Sequence, residues 1–203
     1  IVSIEINSAT DNPLVFSNNG KPEVISGGNF HGQILAITSD NMAICIHEIA
    51  SISERRINQV LDPQWSGQKA FLANVEGLES GLMIVQYVAA AVIAELSLLS
   101  NPVSTTNVPV SMGKEDHVSM GATGAYRTFK ASKLLSSVIS SELICSCQAL
   151  DNIPENPADS VKKIHNWLRG YVSKIESDRS TTEDTEIIAE KILTSEFADI
   201  FGE

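Results

Sequence analysis

The 203-residue chain is poor in aromatic side chains, at 5%. Its core must therefore be filled by small aliphatic residues rather than by rings. It has no excess of basic charge. Fourteen Lys and Arg stand against 25 Asp and Glu, a net charge of −11, which argues against a nucleic-acid partner because phosphate binding needs clustered cations. Three cysteines, none at a metal-ligand spacing, exclude a disulfide framework and fit a reducing compartment. Cys145 and Cys147 are two apart and would leave a helix in different directions. The most apolar stretch, Leu82 to Leu99, is interrupted by Gln86 and Glu95 and reads as a buried helix, not a membrane span. Several site signatures are missing as well. His47-Glu48 has no second His at zinc-protease spacing, Gly113-Lys114 lacks a preceding glycine loop, and no nucleophile elbow occurs.

Hydrophobic residues make up 43% of the chain, which suffices for a sizeable core in one domain or slightly more. Asp11-Asn12-Pro13 and Asn18-Asn19-Gly20 are turn signals within a loop region rich in Asn, Ser, Gly and Pro. Short strands are expected around Leu14-Val15-Phe16 and Val24-Ile25. A long helix is predicted from about Phe30 to Leu61, spanning roughly 48 Å and apolar around most of its girth. Asp62-Pro63 ends it. Further helices are predicted over about 77–99, 115–150, 158–176 and 183–200, with a boundary at Asn152-Ile153-Pro154 and Asn156-Pro157. The third long helix would present Val118, Ala122, Ala125, Phe129, Val138 and Leu143 on its apolar side. Residues 1–150 would form one part and 151–203 a second part of shorter helices.

Three polar stretches stand out among these apolar segments: Asn7 to Asn12, Ser26-Gly27-Gly28-Asn29-Phe30-His31, and Glu115-Asp116-His117-Val118-Ser119-Met120. The last is expected at a helix start, where unpaired N–H groups and the dipole favour acids. Singly, each has an ordinary explanation: helix capping for Glu115-Asp116-His117, backbone bonding for His31, core packing for Phe30, turn formation for Asn7 and Asn12, and a salt-bridged face for Ser53-Glu54-Arg55-Arg56. A metal hydrolase using His31, Asp116 and His117 has no ligand spacing to support it. Taken together, the polar stretches suggest one site assembled from distant parts of the chain.

In order and spacing, Asn7-Ser8-Ala9-Thr10-Asp11-Asn12-Pro13-Leu14-Val15-Phe16, Ser26-Gly27-Gly28-Asn29-Phe30-His31-Gly32-Gln33, Ser53-Glu54-Arg55-Arg56-Ile57, Asn101-Pro102 and Glu115-Asp116-His117-Val118-Ser119-Met120-Gly121 resemble the aromatic amino acid ammonia-lyase family. The histidine-using branch is the most similar. The resemblance is strong over roughly residues 1–150 and weak over 151–203. It implies a mainly α fold, a long-helix bundle of the ammonia-lyase (fumarase/aspartase-like) type with an irregular N-terminal loop region. It also implies a carbon–nitrogen lyase of histidine catabolism, cytoplasmic and homo-oligomeric (a tetramer in the family), which converts L-histidine to urocanate and ammonia.

The family's electrophile is a methylidene-imidazolone (MIO), formed from an Ala-Ser-Gly that lies upstream of the segments matched here. No Ala-Ser-Gly occurs in this chain. The family's catalytic tyrosine is also upstream. The chain, which opens Ile1-Val2-Ser3-Ile4, is thus expected to be a C-terminal portion, inactive without an N-terminal half. By the resemblance, Phe30 and Glu115 are the catalytic positions, and Asn7, Asn12 and His31 belong to the polar shell that binds substrate. Glu115 favours histidine, since phenylalanine and tyrosine lyases generally carry Gln there. A carboxylate can accept a hydrogen bond from an imidazole N–H, whereas facing a phenyl ring it would be desolvated without a partner. Lys114, where the family commonly has Gln, would either pair with Glu115 or turn to solvent. Alternative readings are a phenylalanine or tyrosine ammonia-lyase, an aminomutase of the same family, or a non-catalytic helical assembly module.

Overall fold

The computed structural model describes residues 1–200. In chain order the elements are α1 (Val2–Glu5), β1 (Leu14–Asn18), β2 (Lys21–Ile25), α2 (Gln33–Leu61), α3 (Pro63–Ser66), α4 (Met83–Leu99), α5 (Gly121–Leu150), α6 (Asp159–Arg169), α7 (Thr182–Ile192) and α8 (Ser195–Asp199). The fold is mainly helical, with one small hairpin in an irregular N-terminal region. Residues 1–45 and 99–130 cluster as one unit, and 46–98 with 131–203 as another.

In the first unit, β1 and β2 pair antiparallel from Leu14↔Ile25 to Asn18↔Lys21. Asn19 and Gly20 close the hairpin, both with positive φ (50° and 76°), as a two-residue primed turn requires. The start of α2 lies close against the start of α5. A Cβ added at Gly124 would sit 3.2 Å from Ser39 Cβ and 3.6 Å from the Ala36 carbonyl oxygen. Thr128 Oγ1 donates to the Ser39 carbonyl at 2.8 Å across the same approach. Small residues at 36, 39 and 124 thus do the work that a low aromatic content implied.

In the second unit Ile57, Leu61, Leu82, Leu96, Ile144 and Leu168 are fully buried. The Glu142 carboxylate on α5 receives Ser53 Oγ and Arg56 from α2, with Arg56 Nη2 at 2.9 Å. That bond keeps the Arg56 guanidinium above its ordinary pKa. Ser53 and Glu54 are buried while Arg55 and Arg56 are exposed, and the run is the salt-bridged face expected: Arg55 pairs with Glu54 and Arg56 with Glu142. Buried serines on α5 bond to carbonyls: Ser140 to Thr185 at 2.8 Å and Ser141 to Ser137 at 2.9 Å. Gln148, 1% exposed, bonds both backbone groups of Ile175, at 2.9 and 3.0 Å.

Helix boundaries differ from expectation where glycines or non-local bonds intervene. Phe30 lies in a separate 3-10 turn, Asn29–His31, because Gly32 adopts φ 66° before α2 begins. α4 begins at Met83, not 77, since Gly77 and Gly81 both have positive φ. The stretch predicted as one helix over 183–200 is two, α7 and α8, and the one near 158–176 ends at Arg169. The third long helix begins at Gly121, so Val118 lies outside it, while Phe129 on its supposed inner side is exposed. The apolar girth of α2 also divides. Ala36, Ala43, Ile46, Ala50 and Ile57 are buried, whereas Ile34, Ile37, Ile44, Ile49 and Ile52 are exposed on the other side. α4 likewise leaves Ile84, Tyr87, Val88 and Leu98 exposed.

Candidate active site

All of the singled-out site residues lie in the first unit. The loop before β1 and the loop after β2 are tied by Asn12, whose Oδ1 accepts from Ser26 Oγ at 3.0 Å and from the Gly27 N–H at 3.1 Å. With its carbonyl used twice, the Nδ2 donor of Asn12 has no partner among the described residues. Asn7 is bonded only locally, Nδ2 to the Ser3 carbonyl at 2.7 Å. The link between that segment and the second polar stretch comes instead from Glu5, which accepts from Asn29 Nδ2 at 3.0 Å. No motif drew attention to Glu5, though an acid followed by an Asn-rich loop is a signal of this kind.

The Asn29–His31 turn presents Phe30, 46% exposed, stacked on His31 with ring centroids 4.5 Å apart. Phe30 also borders an open hollow of about 340 Å³, shared with Val2, Ile6 and Leu35 and rimmed by Glu5 and Asn29. His31 meets His117 edge-on at 5.7 Å, and His117 Nε2 lies 2.7 Å from Gln33 Oε1. The second and third polar stretches are thus brought into contact through three rings and an amide.

Glu115 is not at a helix N-terminus. Its backbone pairs with Val110, and the run to Met120 precedes α5, which starts at Gly121. The helix-start expectation for the Glu115 run therefore fails. Pairing with Val110, five residues earlier, outweighed the preference of acids for a first turn. Ser119 Oγ accepts from the Gly121 N–H at 3.2 Å, so the serine of the run, not its acids, serves the start of α5. The Glu115 and Lys114 side chains are both exposed and form no ion pair with each other. Chemically, the region offers an exposed carboxylate, an uncommitted amide donor, two imidazoles and an apolar ring beside a hollow, which suits a small amphiphilic molecule more than a metal ion.

These features coincide with a known family. Residues 1–170 match the family model for aromatic amino acid lyases, and the chain belongs to that family. Among curated relatives it is 40% identical to histidine ammonia-lyase of Myxococcus xanthus, over 97% of this chain and 38% of that protein. It is 42% identical to histidine ammonia-lyase of Anaeromyxobacter sp., over 93% of this chain and 37% of that protein. Among solved structures, histidine ammonia-lyase from Trypanosoma cruzi superposes with a TM-score of 0.93 at 36% identity, over 98% of this chain and 40% of that one. A tyrosine aminomutase from Streptomyces globisporus gives 0.92 at 33% identity, over 98% of this chain and 38% of that one. The chain thus spans somewhat over a third of the length of the curated relatives it matches.

Proposed function

We propose that the protein to which this chain contributes is a histidine ammonia-lyase, with this chain as its C-terminal portion. The observation that carries the substrate is Glu115, an exposed carboxylate free of any ion pair with Lys114, in a chain whose curated relatives at about 40% identity are histidine ammonia-lyases. In the reaction the Cα–N bond and one Cβ–H bond of L-histidine break, a Cα=Cβ double bond forms, and urocanate and ammonia leave. Glu115 accepts a hydrogen bond from the substrate imidazole N–H and exchanges a proton with that ring, which supports the negative charge that develops as the β-proton departs. Phe30 supplies an apolar wall that excludes water. His31 and His117, held by Gln33, order the edge of the site.

The family's MIO group would supply the electrophile for the amino acid when bound. This chain's donors fit it: the uncommitted Nδ2 of Asn12 suits a carbonyl oxygen, and the Phe30 ring suits a flat heterocycle. Asn7 and His31 complete the polar shell. Since the chain contains no Ala-Ser-Gly, the group must come from another segment, and the chain alone is proposed to be inactive. The exposed apolar faces of α2 and α4 support a homo-oligomer, as large uncovered apolar surfaces mark interfaces. Three free cysteines fit the cytoplasm, and among the described residues no helix is long and apolar enough to cross a membrane.

The test is turnover by the intact polypeptide. Urocanate from L-histidine, and none from this chain alone, is the expected result. Conversion of tyrosine or phenylalanine with no urocanate would overturn the substrate and favour the aminomutase or phenylalanine/tyrosine lyase readings.

A further inference from the structure

The run carrying Glu115 is held by a residue that no motif contains. Val110 and Glu115 exchange both backbone hydrogen bonds, at 2.9 and 3.2 Å. Between them Ser111, Met112 and Gly113 take φ values of 55°, 56° and 81°, which reverses the chain in a tight loop. The pair is an isolated bridge with no second backbone rung beside it. The Asn107 side chain takes the place of that rung. Its Nδ2 donates to the Asp116 carbonyl at 3.3 Å, and its Oδ1 accepts from the Val118 N–H at 3.1 Å. A primary amide presents a donor and an acceptor side by side, as a peptide group does, and so can stand in for a strand partner. His117 lies between the two bonded groups.

Side chains alternate along an extended segment, so a slip of one residue exchanges which of them faces a given side. Such a slip here would put Asp116 in the place of Glu115. Both are acids, and charge alone would not oppose it. One backbone pair, closed by a loop of left-handed residues, defines the register weakly. The two Asn107 bonds are satisfied together only when the Asp116 carbonyl and the Val118 N–H lie opposite it.

We propose that Asn107 is a positioning residue: it fixes the register that makes Glu115, rather than Asp116, the acid presented to the substrate side chain. This rests on the reading of Glu115 given above. In the intact polypeptide with its electrophile formed, histidine turnover is compared for the unmodified protein, Asn107→Ala, Glu115→Gln and the double variant. Asn107→Ala is expected to lower kcat at least tenfold with Tm within a few degrees. In the Glu115→Gln background the same change is expected to cost less than threefold, because the carboxylate whose placement Asn107 secures is already gone. Amide hydrogen exchange at Val118, a readout independent of turnover, is expected to accelerate at least tenfold.

Asn107→Asp keeps the acceptor for Val118 but loses the donor to Asp116. It is expected to fall between the two, and it carries the comparison if Asn107→Ala does not fold. Unchanged kcat in the Asn107 variants, or an equal loss in both backgrounds, would overturn the proposal while leaving the lyase reading intact. Unchanged histidine turnover in Glu115→Gln alone would instead remove Glu115 from the site, and the proposal with it.

Discussion

Asp40 on α2 accepts hydrogen bonds from two consecutive backbone N–H groups, those of Val103 at 3.0 Å and Ser104 at 2.8 Å. The carboxylate thereby fastens the loop after α4 to α2 within the first unit. Burial pushes this acid up, but the Ser104 side chain, the two N–H groups and nearby Arg127 outweigh it and hold the carboxyl below its ordinary range. A depressed acid stabilises the fold above its unfolded pKa of about 4, and that contribution is lost as pH falls through the folded value. Asp40→Asn should therefore flatten the acid side of the stability–pH curve and cost about 1–3 kcal/mol at neutral pH. Urea midpoints measured from pH 3 to 7 would check both; parallel curves would show that the carboxylate charge is immaterial.

Gly124 tests the close approach of α2 and α5. One added carbon would meet Ser39 Cβ at 3.2 Å, a contact that a few tenths of an ångström can relieve. Helix propensity offsets part of that, so Gly124→Ala should change stability by less than about 1 kcal/mol. Gly124→Val adds two further methyl groups towards Ser39 and Val103 and should cost about 1–3 kcal/mol. Thermal unfolding of the two variants side by side would separate these cases, and a harmless valine would mean the helices can move apart freely.

The cysteines should report assembly. Burial, with Glu142 nearby, raises the Cys145 thiol far above its ordinary range. Cys147 is pushed up to about 11, chiefly by burial, with Asp151 adding to the shift and Arg169 opposing it. Neither should react with a thiol reagent at pH 8 before unfolding. Cys45 is exposed on the outer side of α2, among Ile37, Ile44 and Ile52. One cysteine of the three should label in dilute, dissociated chain, and none once the α2 faces associate. Labelling of Cys45 that ignores protein concentration would argue that the interface lies elsewhere.

Glu115→Gln in the intact polypeptide should reduce kcat for histidine by about two orders of magnitude or more, the usual scale for losing a proton-exchanging group. Turnover of phenylalanine, where present, should hold or rise, because the amide costs less to desolvate beside a phenyl ring. The ratio of the two kcat/KM values is the measurement. A ratio that does not move would exclude contact between this residue and the substrate ring.

How much of this could be read from the sequence depended on the range of the interaction involved. Asn19-Gly20 encodes its turn locally, and Asp62 both ends α2 and caps α3 by accepting the Gln64 N–H, so those boundaries were legible. The polar stretches were legible as a set, and the edge-on contact of His31, on which Phe30 stacks, with His117 joins two of them. The setting of Glu115 was not. Adjacent acids before an apolar helix are a first-turn signal, whereas the bonds that hold them come from Val110 and from Asn107, eight residues before Glu115 and part of no periodic pattern. Nor could the pattern of α2 distinguish isoleucines facing a core from isoleucines left uncovered, since both repeat with the helical period.

The amide of Gln148 has a mechanical consequence. Residues 173–180 contain no helix or strand, yet both polar groups of Ile175 are engaged by a side chain rooted in the buried side of α5. To reach an extended form that a protease could cut, this stretch must first release Ile175, and so leave Gln148 buried with neither bond. Asn74 also holds the stretch, donating to the Ile175 and Glu176 carbonyls at 3.2 and 2.8 Å. Cleavage of the loop would therefore track the unfolding of the second unit rather than the fraying common to irregular surface segments.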